Sequence, residues 1–197
     1  MLCTNSIPPL TPQLLVAAYA QGIFPMGDED GGITWHDPDP RAIFPLETVR
    51  PNARFRRFLR NNDLHCTMDT AFEEVMRNCA TTHGDTWITE GMVSAYTALH
   101  RLGNAHSAEV WQADELVGGL YGVQIGAAFF GESMFSLVPN ASKVAFHHLV
   151  DHLRDHGFLL FDTQYLNDHT ASLGAIEMPR PVFKRILSKA VETPSSF

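Results

Sequence analysis

The chain has 197 residues, 45% hydrophobic and 18% charged, which suffices for one domain with a buried core and a small appendage. Its net charge of −8 argues against general affinity for nucleic acid. No apolar run approaches the roughly 18 residues of a membrane span, and the first residues lack the pattern of a signal peptide. Cys3, Cys66 and Cys79 cannot all pair and form no CxxC motif. We therefore expect free thiols and a cytoplasmic protein.

The first forty residues predict a small unit that packs against the rest of the chain. Thr11 before Pro12 is typical of a helix start and predicts a helix that ends at Gly22. Residues 23–40 are rich in Gly, Asp and Pro, which predicts a loop with one short strand at 33–35. The Asp-Pro-Asp-Pro sequence that closes this stretch indicates a turn or domain joint. We expect two domains, residues 1–40 and 41–197.

The remainder alternates between strand-like and helix-like patterns. Strands are expected at residues 41–45, 64–68, 107–111, 115–124, 127–133 and 158–161. Helices are expected at residues 52–61, 71–79, 90–102, 140–156 and 181–191, with caps at Thr89 and Asn140. Turns between the third, fourth and fifth of these strands favour antiparallel hairpins. A three-stranded meander, a long helix and another strand resemble the GNAT acyltransferase core, so we expect an α+β fold with a GNAT-like mixed-sheet C-terminal domain.

An acid and an amide follow the last buried strand. Asp162 and Gln164 stand two residues apart, so strand alternation places them on one face. Such a pair can orient an amine and take up its proton, which favours acyl transfer to nitrogen. The same spacing also fits a hydrogen-bonded strand end that caps the backbone of residues 167–170.

Other ionisable residues each have two interpretations. Glu132 ends a strand and could sit in a cleft, where desolvation would raise its pKa, or in a surface loop. His169 could be a general base or a turn histidine bonded to backbone. His148, His152 and His156 share one helix face, a spacing that can bind zinc, but HEXXH is absent and a solvated face is favoured.

A basic stripe stands out on this acidic chain. Arg54, Arg56, Arg57 and Arg60 lie on one expected helix, whereas residues 28–30 are acidic. The arginine spacing suits successive phosphates, and it equally suits a solvated helix face. Large apolar side chains could form either a pocket wall or core: Trp35, Trp87, Phe129, Phe130, Met134 and Phe135.

Eight segments together carry a resemblance to a known family. They are Tyr19–Pro25, Asp37–Arg41, Thr86–Thr89, Ala105–Trp111, Leu116–Gly122, Gly131–Ser136, Asn140–Lys143 and Leu166–Ala175. In this order, over nearly the whole chain, they resemble the bacterial leucyl/phenylalanyl-tRNA–protein transferases. No single segment is decisive, but the set is highly specific.

The resemblance implies an aminoacyltransferase. Such an enzyme takes leucine, phenylalanine or methionine from an aminoacyl-tRNA and attaches it to the α-amino group of a protein with N-terminal Arg or Lys. That protein is thereby marked for degradation under the N-end rule. The resemblance implies no metal and no dissociable cofactor. No coiled-coil or swapping signal occurs, so we expect a monomer.

The resemblance also assigns residues. The expected catalytic residues are Asp162, Gln164 and Glu132. The expected substrate-binding residues are Met26, Trp87, Leu120, Phe129, Gly131, Ser133, Met134, Asn167 and His169. The expected tRNA-binding residues are Arg56, Arg57 and Arg60. Our hypothesis is that the carbonyl of Gln164 orients the amine, Asp162 polarises it or relays its proton, and Glu132 positions the cationic end of the acceptor.

Two departures from the family pattern affect substrate preference and N-terminal packing. Met26 stands where the family commonly has tryptophan, and it keeps the position apolar and adaptable. The glycine-rich segment that usually precedes the first helix is absent from this sequence.

Two other functions remain as alternatives. An acetyl-CoA-dependent GNAT enzyme needs a glycine-bearing loop to cradle pyrophosphate, but residues 137–143 contain no glycine and one proline. A noncatalytic RNA-binding module would use the arginine helix, but it leaves the pairing of Asp162 with Gln164 unexplained.

Overall fold

A computed structural model describes residues 10–28, 32–82 and 87–197. Several features named above lie outside these ranges: the N-terminal segment with Cys3, the acidic Glu29 and Asp30, and Thr86. Cys66 and Cys79 are free thiols, as predicted for these two residues. None of the helices in the described ranges is long and apolar enough to cross a membrane.

The described residues form seven helices and nine strands. The helices are α1 (Pro12–Tyr19), α2 (Ala53–Arg60), α3 (Phe72–Thr82), α4 (Glu90–Arg101), α5 (Ala141–Asp155), α6 (Asp168–Leu173) and α7 (Arg180–Glu192). The strands are β1 (Phe24–Gly27), β2 (Ile33–His36), β3 (Arg41–Ile43), β4 (Leu64–Met68), β5 (Ala105–Gln112), β6 (Glu115–Ile125), β7 (Ala128–Ser136), β8 (Leu160–Gln164) and β9 (Ile176–Met178).

Seven strands form one mixed sheet in the order β4-β5-β6-β7-β8-β3-β9. The β7–β8 pair is parallel and the other pairs are antiparallel. Strands β1 and β2 form a separate two-stranded sheet. The expected α+β class, with a mixed sheet and a small N-terminal part, is confirmed.

Both faces of the large sheet are buried. Buried side chains of α1, α3, α4 and α7 cluster with one set of sheet residues, including Tyr121 of β6. Side chains of α5, with α2 packed beside them, cluster with another set that includes Leu120. Because these neighbours in one strand enter different clusters, the clusters occupy opposite faces. The helices therefore hold the sheet from both sides.

Most predicted elements are confirmed, but the connecting regions differ from the prediction in three respects. Residues 23–40 contain two strands instead of one. The strand that was not predicted is β1, in which Pro25 lies opposite Trp35 of β2. Helix α6 and strand β9 were not predicted, because each is too short to show periodicity. Asn140 precedes α5 with φ of 72° and makes no side-chain cap bond, whereas Thr89 caps α4 as expected.

The central strands separate at one end. Pairing between β7 and β8 stops at Phe130 and Asp162. Beyond that point β7 stays paired with β6 as far as Ser136, and β8 stays paired with β3 as far as Gln164. A cleft therefore opens between two strands inside the sheet.

Candidate active site

A cavity of about 470 Å³ lies at this opening. Its walls come from β6, β7, β8, the start of α6 and the N-terminal hairpin. The residues that line it include Met26, Trp87, Leu120, Tyr121, Gly131, Glu132, Ser133, Met134, Phe161, Gln164, Tyr165, Asn167 and His169. The cavity is large enough to take a ligand of small-molecule size.

A β-bulge places Glu132 at the cavity. Gly122 pairs with Gly131 and Tyr121 pairs with Ser133, so Glu132 is the extra residue between them. Bulges bend a strand and redirect a side chain. The carboxyl group is thus brought to the cleft although only 9% of Glu132 is exposed.

Gln164 joins β8 to Glu132. Its Nε2 donates to Glu132 Oε1 at 2.9 Å, and its backbone N–H donates to Asp162 Oδ1 at 3.1 Å. The residue has φ of 66°, a left-handed conformation that side chains other than glycine rarely adopt. The two hydrogen bonds stabilise this conformation. Gln164 is the donor in both bonds, so its side-chain carbonyl oxygen takes part in neither and can accept a hydrogen bond.

Asp162 faces a different partner. Arg41 donates from Nε to Asp162 Oδ1 at 2.8 Å and from Nη2 to Oδ2 at 2.6 Å, and both side chains are 0% exposed. The third nitrogen of the guanidinium donates to the carbonyl of Gly22 at 2.8 Å. The rings of Phe24 and Phe183 lie 4.8 and 4.6 Å from the guanidinium carbon. This bidentate pair is enclosed beneath the cavity, and Asp162 does not line it.

The environment of Glu132 favours its neutral form. Burial raises the pKa of Glu132 to about 8, and the tyrosine and amide neighbours Tyr19 and Gln164 oppose this only in part. Among the described residues, Glu132 Oε2 and Tyr121 Oη are buried and have no hydrogen-bond partner. The hydroxyls of Tyr19 and Tyr96 lie 2.6 Å apart. A cationic or hydrogen-bonding ligand at this end would satisfy Glu132 Oε2 and Tyr121 Oη.

The N-terminal hairpin supplies one cavity wall. Met26 of β1 and Trp87 line the cavity together. The hairpin is held to the end of β8, since His36 Nδ1 and Tyr165 Oη lie 2.9 Å apart and the centroids of the Phe24 and Tyr165 rings lie 5.7 Å apart. This arrangement explains why a segment distant in sequence contributes to the site.

The structure brings together most of the residues singled out from the sequence. Those lining the cavity are Met26, Trp87, Leu120, Gly131, Glu132, Ser133, Met134, Gln164, Asn167 and His169. The residues that do not line it are Phe129, Asp162, Arg56, Arg57 and Arg60. Phe129 is fully buried and packs against Phe161, so it supports the wall from behind. The three arginines are exposed on α2.

The structure shows the surroundings of three polar residues for which the sequence left two interpretations. Glu132 lies in a cleft with a raised pKa rather than in a surface loop. Asn167, and not Asp162 or Gln164, caps the backbone at Thr170 through a capping box. His169 is exposed and its Nε2 lies 3.1 Å from Met134 Sδ, so it contacts a side chain at the cavity wall.

The solvated face favoured for His148, His152 and His156 is confirmed for two of them, whereas His152 is half-buried with its ring centroid 4.4 Å from that of Phe197. His148 and His156 are exposed. Within residues 10–28, 32–82 and 87–197, no group of three or more His, Cys, Asp or Glu side chains is arranged to hold a metal ion.

Sequence reasoning missed Arg41, Tyr121 and Tyr165. Arg41 is a single charged residue directly before the apolar residues Ala42, Ile43 and Phe44. Such a charge is costly to bury unless an acidic side chain pairs with it, so the pattern predicts a buried ion pair. Tyr121 neighbours Leu120 on β6, but only the bulge brings it beside Glu132. For Tyr165 no sequence signal distinguishes a cavity residue from a surface one.

A buried acid bonded to an amide, at the head of an apolar cleft between separated strands, is suited to hold an acyl donor beside an amine. That describes a class of acyl-group transferases. Family comparison is more specific: the leucyl/phenylalanyl-tRNA protein transferase family matches residues 43–188, and the N-terminal domain of that family matches residues 9–39. The chain belongs to this family of aminoacyltransferases, which confirms the resemblance.

Similar proteins agree with that assignment. A leucyl/phenylalanyl-tRNA–protein transferase of Salinibacter ruber is 50% identical, covering 93% of this chain and 81% of that one. One of Herpetosiphon aurantiacus is 49% identical, covering 95% and 98%. Among solved structures, a protein of Bacteroides thetaiotaomicron gives a TM-score of 0.45 at 12% identity, covering 95% of this chain and 66% of that one. That distant likeness carries no argument about function.

Proposed function

We propose that this cavity transfers leucine, phenylalanine or methionine from aminoacyl-tRNA to the α-amino group of proteins that begin with Arg or Lys. The hydrogen bond between Gln164 and Glu132 at one end of an apolar cavity is the observation that carries this proposal. In the cell, the product would be marked for degradation under the N-end rule. No cofactor takes part in the proposed reaction.

The apolar part of the cavity suits the aminoacyl side chain. Leu120, Met134 and Phe161 form its walls, with Met26 and Trp87 on the hairpin side. Side chains unbranched at Cβ, such as those of Leu, Phe and Met, can extend into such a cleft, whereas β-branched ones are stiffer near the backbone. Discrimination by such contacts is worth about 1–3 kcal/mol per methylene.

The incoming amine is oriented by Gln164. Because Gln164 Nε2 is committed to Glu132, its carbonyl oxygen is left to accept a hydrogen bond from the amine. The amine nitrogen attacks the ester carbonyl, a C–N bond forms, and the ester C–O bond breaks. One amine proton ends on the ribose oxygen that leaves. The ester is already activated, so positioning supplies most of the catalysis.

Asp162 takes a positioning role in this scheme. Its oxygens accept from Arg41 and from the backbone of Gln164, and it does not line the cavity. It therefore acts on the amine through Gln164, in place of the polarising or proton-relaying role that the sequence suggested. An Asp162→Asn variant that kept the full rate with saturating substrates would contradict this role.

Glu132 is suited to the cationic end of the acceptor. Its Oε2 is unpartnered beside Tyr121 Oη, in the described part of the chain. A cation bound there would favour the ionised carboxyl and lower its pKa from about 8. Acceptor binding at neutral pH should therefore release a proton.

The proposal also includes a domain architecture and a binding surface for the tRNA. The separation of β7 from β8 is the feature that supports a GNAT-like C-terminal domain. We propose domains of residues 1–40 and 41–197, with tRNA bound along Arg56, Arg57 and Arg60. We propose a cytoplasmic monomer.

A transfer assay tests the function directly. Purified protein is mixed with leucyl-, phenylalanyl-, methionyl- or valyl-tRNA and with matched peptides that begin with Arg, Lys or Ala, and products are read by mass spectrometry. We expect the first three amino acids to be added to Arg and Lys peptides only. Binding of tRNA without any product would favour the RNA-binding module, and micromolar binding of acetyl-CoA in calorimetry would favour the CoA-dependent enzyme.

A further inference from the structure

A second cavity lies beside the beginning of α5 and the end of α6. It has a volume of about 700 Å³ and mostly polar walls. Arg50, Arg54 and Lys143 line it, and among the described residues no carboxylate does. Three cations in one concavity are unexpected on a chain of net charge −8. We call this cavity the basic basin.

The cations of the basin are poorly neutralised. Arg50 donates to the backbone carbonyls of Leu46 and Val49 and keeps its net charge. Asp151, whose charge acts on Arg50, is paired with Arg154 and does not line the basin. The basin therefore presents positive charge to a ligand.

A buried polar side chain, that of His147, also lines the basin. His147 is 8% exposed, and its ring packs against Phe55, with ring centroids 5.3 Å apart. Burial and nearby Lys143 lower the pKa of His147 to about 4. At neutral pH the imidazole is uncharged and can donate one hydrogen bond to an anion.

The basin adjoins the aminoacyl cavity along the chain. Ser142 lines the first cavity and Lys143 the second, and Thr170 lines the first where Ala171 lines the second. Consecutive Cα atoms are only about 3.8 Å apart. A polymer that places its end in the aminoacyl cavity and continues between the start of α5 and the end of α6 reaches the basin.

Aromatic rings in the basin favour RNA over an acidic peptide. Phe55 and Phe58 both line it, half-buried, with their rings stacked and centroids 5.6 Å apart. Cations interleaved with aromatic faces are the usual means of holding single-stranded nucleic acid, since bases stack while phosphates meet the charges.

We propose that the basic basin binds the phosphodiester groups of the single-stranded 3′ end of the donor tRNA, just before its terminal aminoacylated nucleoside. This inference rests on the proposed function and adds a site separate from Arg56, Arg57 and Arg60. Those three arginines do not line the basin, so they serve a more distant part of the same RNA.

The experiment compares two donors in one transfer assay. One is phenylalanyl-tRNA, and the other is phenylalanyl-adenosine, which carries the ester but no phosphate. The test variant is Arg54→Ala/Lys143→Ala. The control is Arg101→Ala/Lys189→Ala, which removes two exposed cations that line neither cavity.

We expect the test variant to raise the KM for phenylalanyl-tRNA about tenfold near physiological salt. The slope of log KM against log salt should fall by about 0.7 for each phosphate that the variant no longer neutralises. Its kcat/KM with phenylalanyl-adenosine should equal that of the wild type, which also shows that it folds. The control should match the wild type with both donors.

An unchanged KM for phenylalanyl-tRNA would overturn the basin assignment. An equal loss with both donors would overturn it too, because the substitutions would then act on the aminoacyl cavity. If the wild type transfers from neither donor, the proposed function fails.

The RNA site is then tested separately, by the binding of a fluorescent single-stranded RNA that has the tRNA 3′ sequence. Weaker binding by the test variant, but not by the control, supports RNA binding in the basic basin, and equal binding by all three proteins overturns it.

Discussion

Two polar pairs meet on β8, two residues apart, in very different surroundings. Arg41 and Asp162 are 0% exposed, satisfy each other bidentately and line neither the aminoacyl cavity nor the basic basin. Glu132 and Gln164 share one hydrogen bond, line the aminoacyl cavity and leave Glu132 Oε2 without a partner. The first pair fixes the end of the strand, and the second is free to meet a ligand.

The difference shows why burial alone does not identify a functional group. All four side chains are at most 9% exposed. What separates them is whether each polar atom already has a partner, because an unsatisfied buried atom gains most from a ligand. The pairs should therefore respond differently to substitution: the first mainly through stability, since Asp162 acts on the substrate only through Gln164, and the second mainly through activity.

The largest expected effect comes from breaking the Arg41–Asp162 pair. Arg41→Met leaves the Asp162 charge buried without its cation, so the free energy of unfolding should fall by about 3–5 kcal/mol. Urea denaturation followed by circular dichroism measures this.

A double variant serves as the control for that prediction. Arg41→Met/Asp162→Leu removes both charges and should be more stable than Arg41→Met alone by at least about 1 kcal/mol, although the backbone N–H of Gln164 loses its acceptor. Equal stability of the two variants would show that an uncompensated charge is not the cause.

The next effect, on Gln164, should appear in catalysis. Gln164→Ala removes the proposed orienting carbonyl and should lower kcat/KM in the transfer assay about 100-fold. The unfolding free energy should fall by about 1–3 kcal/mol, because Glu132 Oε1 loses its donor, so the assay is run where the variant is folded. Leu159→Ala, at a residue 43% exposed outside the cavity, is the matched control and should keep the wild-type rate. A Gln164→Ala enzyme with normal kinetics would remove Gln164 from the mechanism.

These pairs also show which parts of the fold and of the site can be predicted from the sequence. The order of strands and helices from Arg41 onward follows from periodicity and turn residues. Most cavity residues were found through segments that resemble the family. The acid and amide of β8 were visible as a pair, but their separate partners were not.

The missing information is three-dimensional. The bulge that redirects Glu132 depends on the register between β6 and β7, which no local pattern encodes. The partner of Asp162 is 121 residues away in sequence. The left-handed conformation of Gln164 is imposed by its contacts, since its own propensity opposes it.

The third prediction concerns pH and Glu132. A folded pKa of about 8, raised above the ordinary 4.5, means that the native state holds this proton where the unfolded state has released it. The contribution of Glu132 to the free energy of unfolding is therefore complete below pH 4.5 and is lost as the pH rises to about 8. The loss has a limiting slope of about 1.4 kcal/mol per pH unit.

Histidines with lowered pKa change stability in the opposite direction below pH 6.5, the ordinary value for His147. The histidines contribute equally to the wild type and to Glu132→Gln, so the difference between the two proteins isolates the carboxyl group. From pH 6.5 to 8 the wild type should lose stability relative to Glu132→Gln. Parallel curves for the two proteins would contradict a buried, protonated Glu132.

The smallest effect is expected at Met26, which lines the aminoacyl cavity together with Trp87. Met26→Trp introduces a larger, rigid ring and narrows the cleft, so it should disfavour phenylalanine relative to leucine. The ratio of kcat/KM for the two charged tRNAs should shift by up to about tenfold, or about 1.4 kcal/mol. Any change in how the shared terminal nucleoside is held cancels in this ratio. Met26→Leu, close in volume, should leave it within about twofold. An unchanged ratio in Met26→Trp would show that the hairpin wall contacts the nucleoside and not the amino-acid side chain.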